Sequence, residues 1–577
     1  MLEKIKELEA DIYKERSLQL EQIEKQWNQP LPMRVDAGRA LGGLVIDSID
    51  YSHHLIHFVP PKEDFAFFKE LQPIRISQNS PESHHFEGAF IGLTDKGLTV
   101  KCSKCDALDF QQKTRWSLDE EFVDVSDFYL KGLKSLAEDS HGRDNVYPVL
   151  FEERPAMIDA ETYDTTYDAL DELDSPLNEP QKDSIATALA ASPMHLIQGP
   201  PGTGKTLTLA QLVERLVLEG HRILISGFTH RSIHQALTKI TELLEGQCPV
   251  VKIGPSITPE KLPFPTYATI EASDLDTHDG PYVIGATPFA LFTKRLQAAH
   301  FDSAVIDETS QLTLPASIMV MMKSDRWFFF GDDKQLPPVS LLHKDDPSSA
   351  SIFARLKKQT TYTTLNITYR MNEKLTEWPS ENFYYGELET HFPNNQFTLK
   401  SPPTHYEEAL CPEQSLVSIC LDDELSKSNN DAEADLSAGI IEQLLSSGIT
   451  PAEIGVVTPF RAQASRIRSL LRNVIAPPYK HLERLITVDT VDRFQGQERE
   501  VMLYSFTSAD LTFIKKIHAF LFNPARVNVA VTRARTKVIL LYSKPLLEYA
   551  QMNAAANEDC SLFLNLIQRS HSVLTHG

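Results

Sequence analysis

The hydrophobic positions of the chain change their spacing twice within the first 150 residues. Up to Pro30, apolar residues recur every three or four positions among charged ones, which predicts a long helix. Residues 40–115 instead alternate short apolar runs with Gly, Pro, Asn and Asp, a pattern typical of a small β-barrel. Helical spacing returns at residues 123–137. We therefore expect a helical stalk and a barrel to form an accessory domain over residues 1–150.

Beyond an acidic stretch at residues 152–179, nearly continuous apolar runs alternate with helical patterns. Strands of this kind are buried on both faces, which is typical of a parallel sheet covered by helices. The runs fall into two sets, at residues 196–197, 223–225, 283–284, 304–306 and 327–330, and at residues 416–419, 454–457, 486–488, 501–503 and 538–541. The sequence thus predicts two tandem α/β domains, over residues 151–350 and 351–577, and a solvated linker or surface segment for the acidic stretch.

Composition and charge narrow the class of protein. No apolar run approaches the roughly 18 residues of a membrane span, and the start of the chain lacks an apolar signal segment, so we expect a cytoplasmic protein. Six scattered cysteines argue against a disulfide framework. Cys102 and Cys105 lack a second pair at zinc-site spacing, so we interpret them as small apolar residues rather than ligands. The net charge of −23 does not exclude nucleic acid, because a binding channel needs only a local basic lining.

A glycine-rich segment joins the first predicted strand to a helical pattern. Its eight residues are Gly199, Pro200, Pro201, Gly202, Thr203, Gly204, Lys205 and Thr206. The backbone N–H groups of such a turn converge on phosphates, because glycine lets the backbone approach closely. We expect Lys205 to reach the β- and γ-phosphates of a nucleoside triphosphate and the Thr206 hydroxyl to hold Mg²⁺.

Two acidic residues follow the fourth apolar run. Asp307 and Glu308 would lie at the carboxyl end of a parallel strand, beside the phosphate loop. We expect Asp307 to hold Mg²⁺ and Glu308 to orient or deprotonate the attacking water, because phosphoryl transfer depends on metal, positioning and charge neutralisation. The alternative interpretation is a strand end that carries surface acids.

The order of motifs between residues 177 and 535 resembles that of superfamily 1B helicases. The chain is most similar to the branch that contains the nonsense-mediated-decay helicase and the immunoglobulin-mu-binding-protein helicase. The motifs that carry the resemblance are residues 177–181, 199–206, 307–311, 331–338, 368–371, 491–498 and 528–535. The resemblance implies a RecA-like fold for both α/β domains, and it extends to the stalk and barrel.

The same resemblance implies contacts to the nucleoside of ATP. Gln181 would read the adenine edge, and Tyr369 would stack on the adenine ring. Glu498 would accept a hydrogen bond from the ribose.

Roles around the phosphates are implied in the same way. Gln335 would sense the γ-phosphate, while Arg370 and Arg533 would act as arginine fingers from the second α/β domain. The triphosphate would then bridge a cleft between the two domains. The catalytic set implied by the resemblance and by the residues together is Lys205, Asp307, Glu308, Gln335, Arg370 and Arg533.

A single nucleic-acid strand would lie across both domains, held mainly through its phosphates. The contacts that the resemblance implies are Thr229, Pro337, Thr458, Phe460, Arg461, Thr490 and Gln495. For Thr229 and Phe460, an ordinary loop or packing role is the alternative. His230 and His234 stand where family members carry other residues. Their spacing would suit a metal ion, but no acid or cysteine completes the set.

The sequence therefore predicts an ATP- and Mg²⁺-dependent helicase or translocase that acts as a monomer on single-stranded DNA or RNA, away from membranes. Movement from 5′ to 3′ is implied by the resemblance alone. The alternative within the same class is an ATPase that remodels nucleoprotein without unwinding duplexes. A catalytically inactive clamp is disfavoured, because the whole catalytic set is present.

Overall fold

The computed structural model describes residues 1–577 except 60–67, 69–71, 95, 106–113, 173–175, 256–261, 344–345, 394, 475–484 and 575–577. The chain forms two compact units. Unit 1 contains Met1–Leu18, Asp124–Arg370 and Glu387–His391, and unit 2 contains Gln19–Val123, Met371–Gly386 and Phe392–Gly577. No helix among the described residues combines the length and apolar character that crossing a membrane requires.

The N-terminal helix Leu2–Trp27 confirms the prediction of a long helix. Ile5, Leu8 and Ile12, which lie in its first half, are buried in the same apolar cluster as residues of the helix Ser126–Glu138. That cluster also contains side chains of the first parallel sheet. The start of the stalk and its returning helix therefore pack onto the first α/β core and belong to unit 1.

Unit 1 is built on an eight-stranded sheet whose described strand pairs are all parallel. From edge to edge the strands are Thr266–Tyr267, Val250–Ile253, Tyr282–Gly285, Arg222–Gly227, Phe301–Asp307, Ser324–Gly331, Met194–Gln198 and Tyr362–Thr364. All five apolar runs predicted for the first α/β domain lie in this sheet, which confirms that prediction. The edge strand Tyr362–Thr364 lies beyond residue 350, where the sequence places the end of this domain.

Helices cover both faces of this sheet. Along the strand Ser324–Gly331, Trp327 and Phe329 pack into one apolar cluster while Phe328 and Phe330 pack into another. Both faces are buried, so the run is continuously apolar rather than alternating. The helices of unit 1 after the first are Ser126–Glu138, Tyr147–Phe151, Ala160–Asp171, Glu179–Ala190, Lys205–Leu218, His230–Leu244, Pro288–Leu291, Leu314–Met321 and Ile352–Leu356, with a π-helical turn at Gly142–Val146.

Much of the acidic stretch forms the helix Ala160–Asp171, capped by the Asp159 side chain. Leu170 is buried against unit 1, and the Tyr163 hydroxyl donates a 2.7 Å hydrogen bond to Asp183. Residues 160–171 of the stretch therefore form a surface helix rather than a linker, and residues 173–175 lie outside the described residues.

Unit 2 contains a seven-stranded antiparallel sheet. From edge to edge its strands are Ala40–Leu44, Trp116–Glu120, Pro73–Ser77, His85–Thr94, Gly97–Lys101, Leu55–Phe58 and Ile46–Asp50. The two edge strands are consecutive in the chain and are separated only by Val45. One bent stretch therefore pairs with both ends of the sheet and closes it, which confirms the predicted small β-barrel.

Cys102 and Cys105 are buried in the apolar core of the barrel. The Cys105 Sγ lies 3.7 Å from His54 Nδ1. Neither cysteine belongs to a close group of three metal-ligand side chains among the described residues. Their positions agree with the interpretation as small apolar residues.

Unit 2 also contains a six-stranded sheet whose described strand pairs are all parallel. From edge to edge its strands are Thr487–Thr490, Ile454–Thr458, Arg499–Ser505, Ala534–Ser543, Leu416–Leu421 and His571–Leu574. The five apolar runs predicted for the second α/β domain lie in or overlap these strands, which confirms a second parallel sheet. Its helices include Glu373–Phe383, Asp431–Ser446, Arg461–Val474, Val491–Phe494, Leu511–Leu521, Pro524–Val531, Lys544–Asn553 and Glu558–Arg569.

A buried carboxyl group forms hydrogen bonds at the carboxyl ends of strands in the second parallel sheet. Glu433 is fully buried and accepts hydrogen bonds from the Ser505 hydroxyl at 2.6 Å and the Thr507 backbone N–H at 2.9 Å. The Thr507 hydroxyl lies 2.9 Å from the Thr458 hydroxyl, so the carboxyl supports the end of a neighbouring strand. Burial raises the pKa of Glu433 to about 8.

We expect Glu433→Gln to become more stable relative to wild type as pH rises. A carboxyl whose pKa is raised in the folded state stabilises the protein below its unfolded pKa, about 4.5, and that contribution is lost as pH rises through about 8. Each pKa unit corresponds to about 1.4 kcal/mol. The melting temperature of Glu433→Gln minus that of wild type should therefore rise by at least about 3 °C between pH 5 and pH 8.

The matched control is Glu442→Gln, which changes an exposed side chain on the same helix, Asp431–Ser446. Its melting temperature should follow that of wild type at both pH values. A pH-independent difference for Glu433→Gln would contradict a buried, protonated Glu433.

Candidate nucleotide site and strand contacts

The phosphate loop lies between the strand Met194–Gln198 and the helix Lys205–Leu218. Gly202 and Gly204 have φ angles of 77° and 79°, in the left-handed region that favours glycine. A Cβ on Gly202 would lie 2.5 Å from the Arg370 Cβ, so the loop is held closely by another part of unit 1. The loop's shape therefore depends on glycine at these positions.

Lys205 lies between two carboxylates. Its Nζ is 3.2 Å from Asp307 Oδ1 and 3.0 Å from Glu308 Oε1. Burial alone would lower the pKa of Lys205, but the two acids outweigh burial and raise it. Burial raises the pKa of Asp307, although Lys205 opposes the change. The structure thus brings together the lysine and both acids that the sequence assigns to the phosphate site.

These groups fit a magnesium-bound triphosphate. The N–H groups of Gly202, Gly204 and Lys205 donate to no acceptor among the described residues, so they are available to phosphate oxygens. Thr206 lies at the start of the same helix, and its hydroxyl and the Asp307 carboxylate are oxygen ligands of the kind that Mg²⁺ prefers. Mg²⁺ would supply charge neutralisation for the phosphates.

Gln335 is buried in the loop after the strand Ser324–Gly331. Its Nε2 donates a 2.8 Å hydrogen bond to Asp332, which also accepts a hydrogen bond from Gln198 at 3.3 Å. Lys357 donates to Gln198 at 2.7 Å. The loops that end neighbouring strands are therefore linked by side chains, and Gln335 has a fixed orientation beside the phosphate loop's strand.

Residues expected around the adenine also lie together. Gln181 Nε2 donates to the Thr203 carbonyl at 3.0 Å, which places Gln181 directly against the phosphate loop. Asn178, the N-cap of the same helix, donates a 2.9 Å hydrogen bond to the Tyr369 hydroxyl. The Tyr369 ring lies 4.6 Å from the ring of His391. Sequence reasoning missed Asn178 and His391, because only the fold brings them to this tyrosine.

Arg370 lies in unit 1, which differs from its expected place in the second α/β domain. The Thr368 hydroxyl donates to the Pro201 carbonyl at 2.8 Å, and the Tyr369 N–H donates to the Gly202 carbonyl at 2.7 Å. These hydrogen bonds bind the segment to the phosphate loop itself. Arg370 is therefore positioned from the same unit as Lys205.

Arg533 and Glu498 lie in unit 2. Arg533 is buried, and its Nε donates to the Val529 carbonyl at 3.0 Å. Glu498 accepts hydrogen bonds from the guanidinium of Arg535, one of them at 3.2 Å from Nε. Their roles as arginine finger and ribose contact remain predictions.

The expected strand contacts differ in exposure. Thr229 and Pro337 are exposed, and Thr229 caps the helix His230–Leu244. Thr458 is fully buried with its hydroxyl engaged by Thr507, and Thr490 is buried beside it as its partner in the parallel register. Thr458 and Thr490 are therefore packed at the carboxyl ends of two neighbouring strands, whereas Thr229 and Pro337 are accessible to solvent.

The three other expected contacts lie near Thr458 and Thr490. Phe460 packs 5.7 Å from the ring of Phe520. Arg461 forms a 2.5 Å ion pair with Glu120 of the barrel. Gln495 is half-buried at the end of the helix Val491–Phe494. These positions leave the strand-contact roles as predictions.

His230 and His234 lie on one helix with ring centroids 6.4 Å apart. Burial and the charge of Lys252 lower the pKa of each histidine to about 4. A nearby lysine disfavours a bound cation, and neither histidine belongs to a close three-ligand group within the described part of the chain. The geometry gives no support to a metal site here.

Two segments of the chain match models of known domain families. Residues 176–269 and residues 348–544 each match a model described as an AAA domain. The first match contains the phosphate loop, and the second contains Arg370, Glu498 and Arg533.

The chain is also similar to curated proteins and solved structures. It is 28% identical over 402 residues to the DNA replication ATP-dependent helicase/nuclease dna2 of Schizosaccharomyces pombe, which covers 64% of this chain and 28% of that protein. The Homo sapiens protein of the same name is 27% identical over 444 residues, covering 69% of this chain and 40% of that protein. A crystal structure of Arterivirus nonstructural protein 10 (helicase) is 14% identical, covers 87% of this chain and 76% of that chain, and has a TM-score of 0.39. The chain thus spans well under half the length of these two curated relatives.

We expect Tyr369→Ala to weaken binding of a fluorescent ATP analogue about tenfold, because it removes the ring that would stack on adenine. Tyr369→Phe keeps the ring and loses the hydroxyl that accepts the hydrogen bond from Asn178, so its affinity should stay within about threefold of wild type. Titration of the analogue measures both. The control Tyr13→Ala removes an exposed ring elsewhere in unit 1 and should bind like wild type. Equal losses for the Ala and Phe variants of Tyr369 would argue against stacking.

Proposed function

We propose that the chain is an ATP-dependent helicase or translocase that moves along a single nucleic-acid strand. The observation that carries this proposal is the placement of Lys205 between Asp307 and Glu308, at the end of a glycine loop with available N–H groups. A lysine for the phosphates, an acid for Mg²⁺ and an acid for the attacking water are the parts that ATP hydrolysis requires.

In the proposed mechanism, each catalytic residue acts on charge or position. Lys205 neutralises charge on the β- and γ-phosphates, and Glu308 accepts a proton from the attacking water. Gln335, held by Asp332, orients that water or reports the γ-phosphate to the loop that follows. Arg370 stabilises the transition state from unit 1, and Arg533 does so from unit 2. We infer that ATP binding and hydrolysis drive the stepping of the strand.

Single-stranded DNA is the favoured substrate within this proposal. The curated relatives are named for DNA replication, and the proposal extends that substrate to this chain. Movement from 5′ to 3′, a monomeric state and a cytoplasmic location belong to the same proposal. RNA is the second candidate, because contacts through phosphates and stacking discriminate poorly between the two.

An ATPase assay with single-stranded DNA, single-stranded RNA or no nucleic acid tests the proposal directly. We expect DNA to stimulate phosphate release most strongly. Duplexes with a 5′ or a 3′ single-stranded tail then distinguish the polarity of movement. Stimulated turnover without unwinding of either duplex would favour the alternative, remodelling of nucleoprotein. Turnover that no strand stimulates would contradict a nucleic-acid motor.

We expect Glu308→Gln to reduce DNA-stimulated turnover at least about 100-fold, because an amide cannot accept the proton of the attacking water. ATP affinity should stay within about threefold, since Lys205 keeps its partner Asp307. Phosphate release and analogue titration give the two values. Glu242→Gln, an exposed change in unit 1, is the control and should keep full turnover. Comparable turnover by the two variants would remove Glu308 from the mechanism.

A further inference from the structure

Unit 2 gathers arginines from separate parts of the chain around one buried acid. Glu120, at the end of the barrel strand Trp116–Glu120, is 7% exposed. Its Oε2 accepts a 2.8 Å hydrogen bond from Arg39 of the barrel, and its Oε1 accepts one from Arg461 of the second α/β core at 2.5 Å. Burial alone would raise the pKa of Glu120, but Arg461 and Arg39 outweigh burial and lower it. Glu120 is therefore the shared counterion of two arginines.

The parallel register brings a third arginine to the same edge. Thr458 and Thr490 are register partners at the carboxyl ends of adjacent strands. Arg461 follows the first by three residues and is the first residue of its helix, and Arg493 follows the second by three and lies in the helix Val491–Phe494. Both arginines therefore lie just beyond the carboxyl ends of adjacent strands, and burial and repulsion from Arg461 lower the pKa of Arg493.

Positive charge exceeds negative charge in this cluster. The charges that act on Arg493 come from Arg461, Asp489, Glu120 and Arg468. Arg39, Arg461 and Arg493 therefore outnumber Glu120, the acid that forms ion pairs with the first two. Arg493 itself donates no hydrogen bond to any described residue, so its guanidinium group is available to a further anion.

We propose that Arg39, Arg461 and Arg493 form a phosphate-binding cluster for the backbone of a bound single strand, with Glu120 as the counterion that the phosphates displace. Guanidinium groups match phosphate oxygens in pairs, and an excess of them is what a polyanion requires. Glu120 holds Arg39 and Arg461 in place before the strand arrives. The inference rests on the proposed function, since it names the charged surface that the strand would contact in unit 2.

A purely structural role makes a different prediction from a phosphate-binding role. If the ion pairs only fasten the barrel to the second core, changing either partner of the Arg39–Glu120 pair should have the same effect. If the cluster binds phosphates, losing an arginine weakens binding, whereas losing the competing carboxylate strengthens it. The sign of the effect therefore separates the two roles.

Fluorescence anisotropy with a labelled oligothymidylate of about twenty nucleotides tests the inference on the full chain. Affinity is measured between about 50 and 200 mM salt, where each lost phosphate contact lowers the slope of log affinity against log salt by about 0.7 for a single strand. We expect Arg39→Gln and Arg493→Gln each to bind about 3- to 10-fold more weakly, with a slope lower by about this amount. Glu120→Gln should bind at least about twofold more tightly.

Arg493→Gln and one control variant keep the result interpretable. Arg493→Gln leaves the ion pairs of Glu120 intact, so its loss of affinity would not reflect a detached barrel. Arg569→Gln breaks the exposed ion pair with Glu381 in unit 2 and should match wild type in affinity and slope.

Equal weakening by Arg39→Gln and Glu120→Gln would overturn the inference in favour of a structural ion pair. Wild-type slopes for both Arg39→Gln and Arg493→Gln would also overturn it while leaving the proposed function standing. No binding of the strand by wild-type protein would instead overturn the proposed function and the inference together.

Discussion

The contact of Lys205 with Asp307 and Glu308 is the interaction on which the arrangement of unit 1 depends. Two carboxylates beside each other repel, and burial strengthens that repulsion because solvent screening is reduced. Lys205 neutralises one of the two charges and leaves one in excess, which suits a site that must accept a divalent cation and a polyanion together. Removing the lysine alone would leave two partly buried acids without a counterion, which is strongly destabilising.

That contact constrains the sheet. Lys205 follows the strand Met194–Gln198, while Asp307 ends the strand Phe301–Asp307, and the strand Ser324–Gly331 lies between them. The lysine therefore reaches across one intervening strand. It does so because the strands are parallel and their carboxyl ends meet at one edge. The loop with Gln335 follows a strand that ends at the same side of the sheet, so Lys205, Asp307 and Gln335 are all positioned by carboxyl ends of unit 1 strands.

Sequence reasoning succeeded where the information is local. The phosphate loop is recognisable because its glycines have a steric purpose, and the strands are recognisable because burial on both faces removes polar residues from the run. Contacts that join distant residues have no such local signal. The segment that carries Arg370 is bound to the phosphate loop through the hydrogen bond from Thr368 to Pro201, 167 residues away. The Thr458 hydroxyl lies within hydrogen-bonding distance of the hydroxyl of Thr507, 49 residues away, and no local sequence pattern predicts that pair.

Net charge illustrates the same difference between local and global information. The chain carries −23, yet charges in water act only over about 8–10 Å at physiological salt, so the net charge of the whole chain does not determine the potential at one local cluster. Within the cluster, Glu120 opposes a bound phosphate and also fixes the arginines that would bind it. Without Glu120 the cluster would attract phosphates more strongly, but Arg39 and Arg461 would lose the carboxylate that holds their side chains in place. In the proposed cluster, a carboxylate that two arginines share would therefore set a balance between affinity for phosphates and order of the arginines.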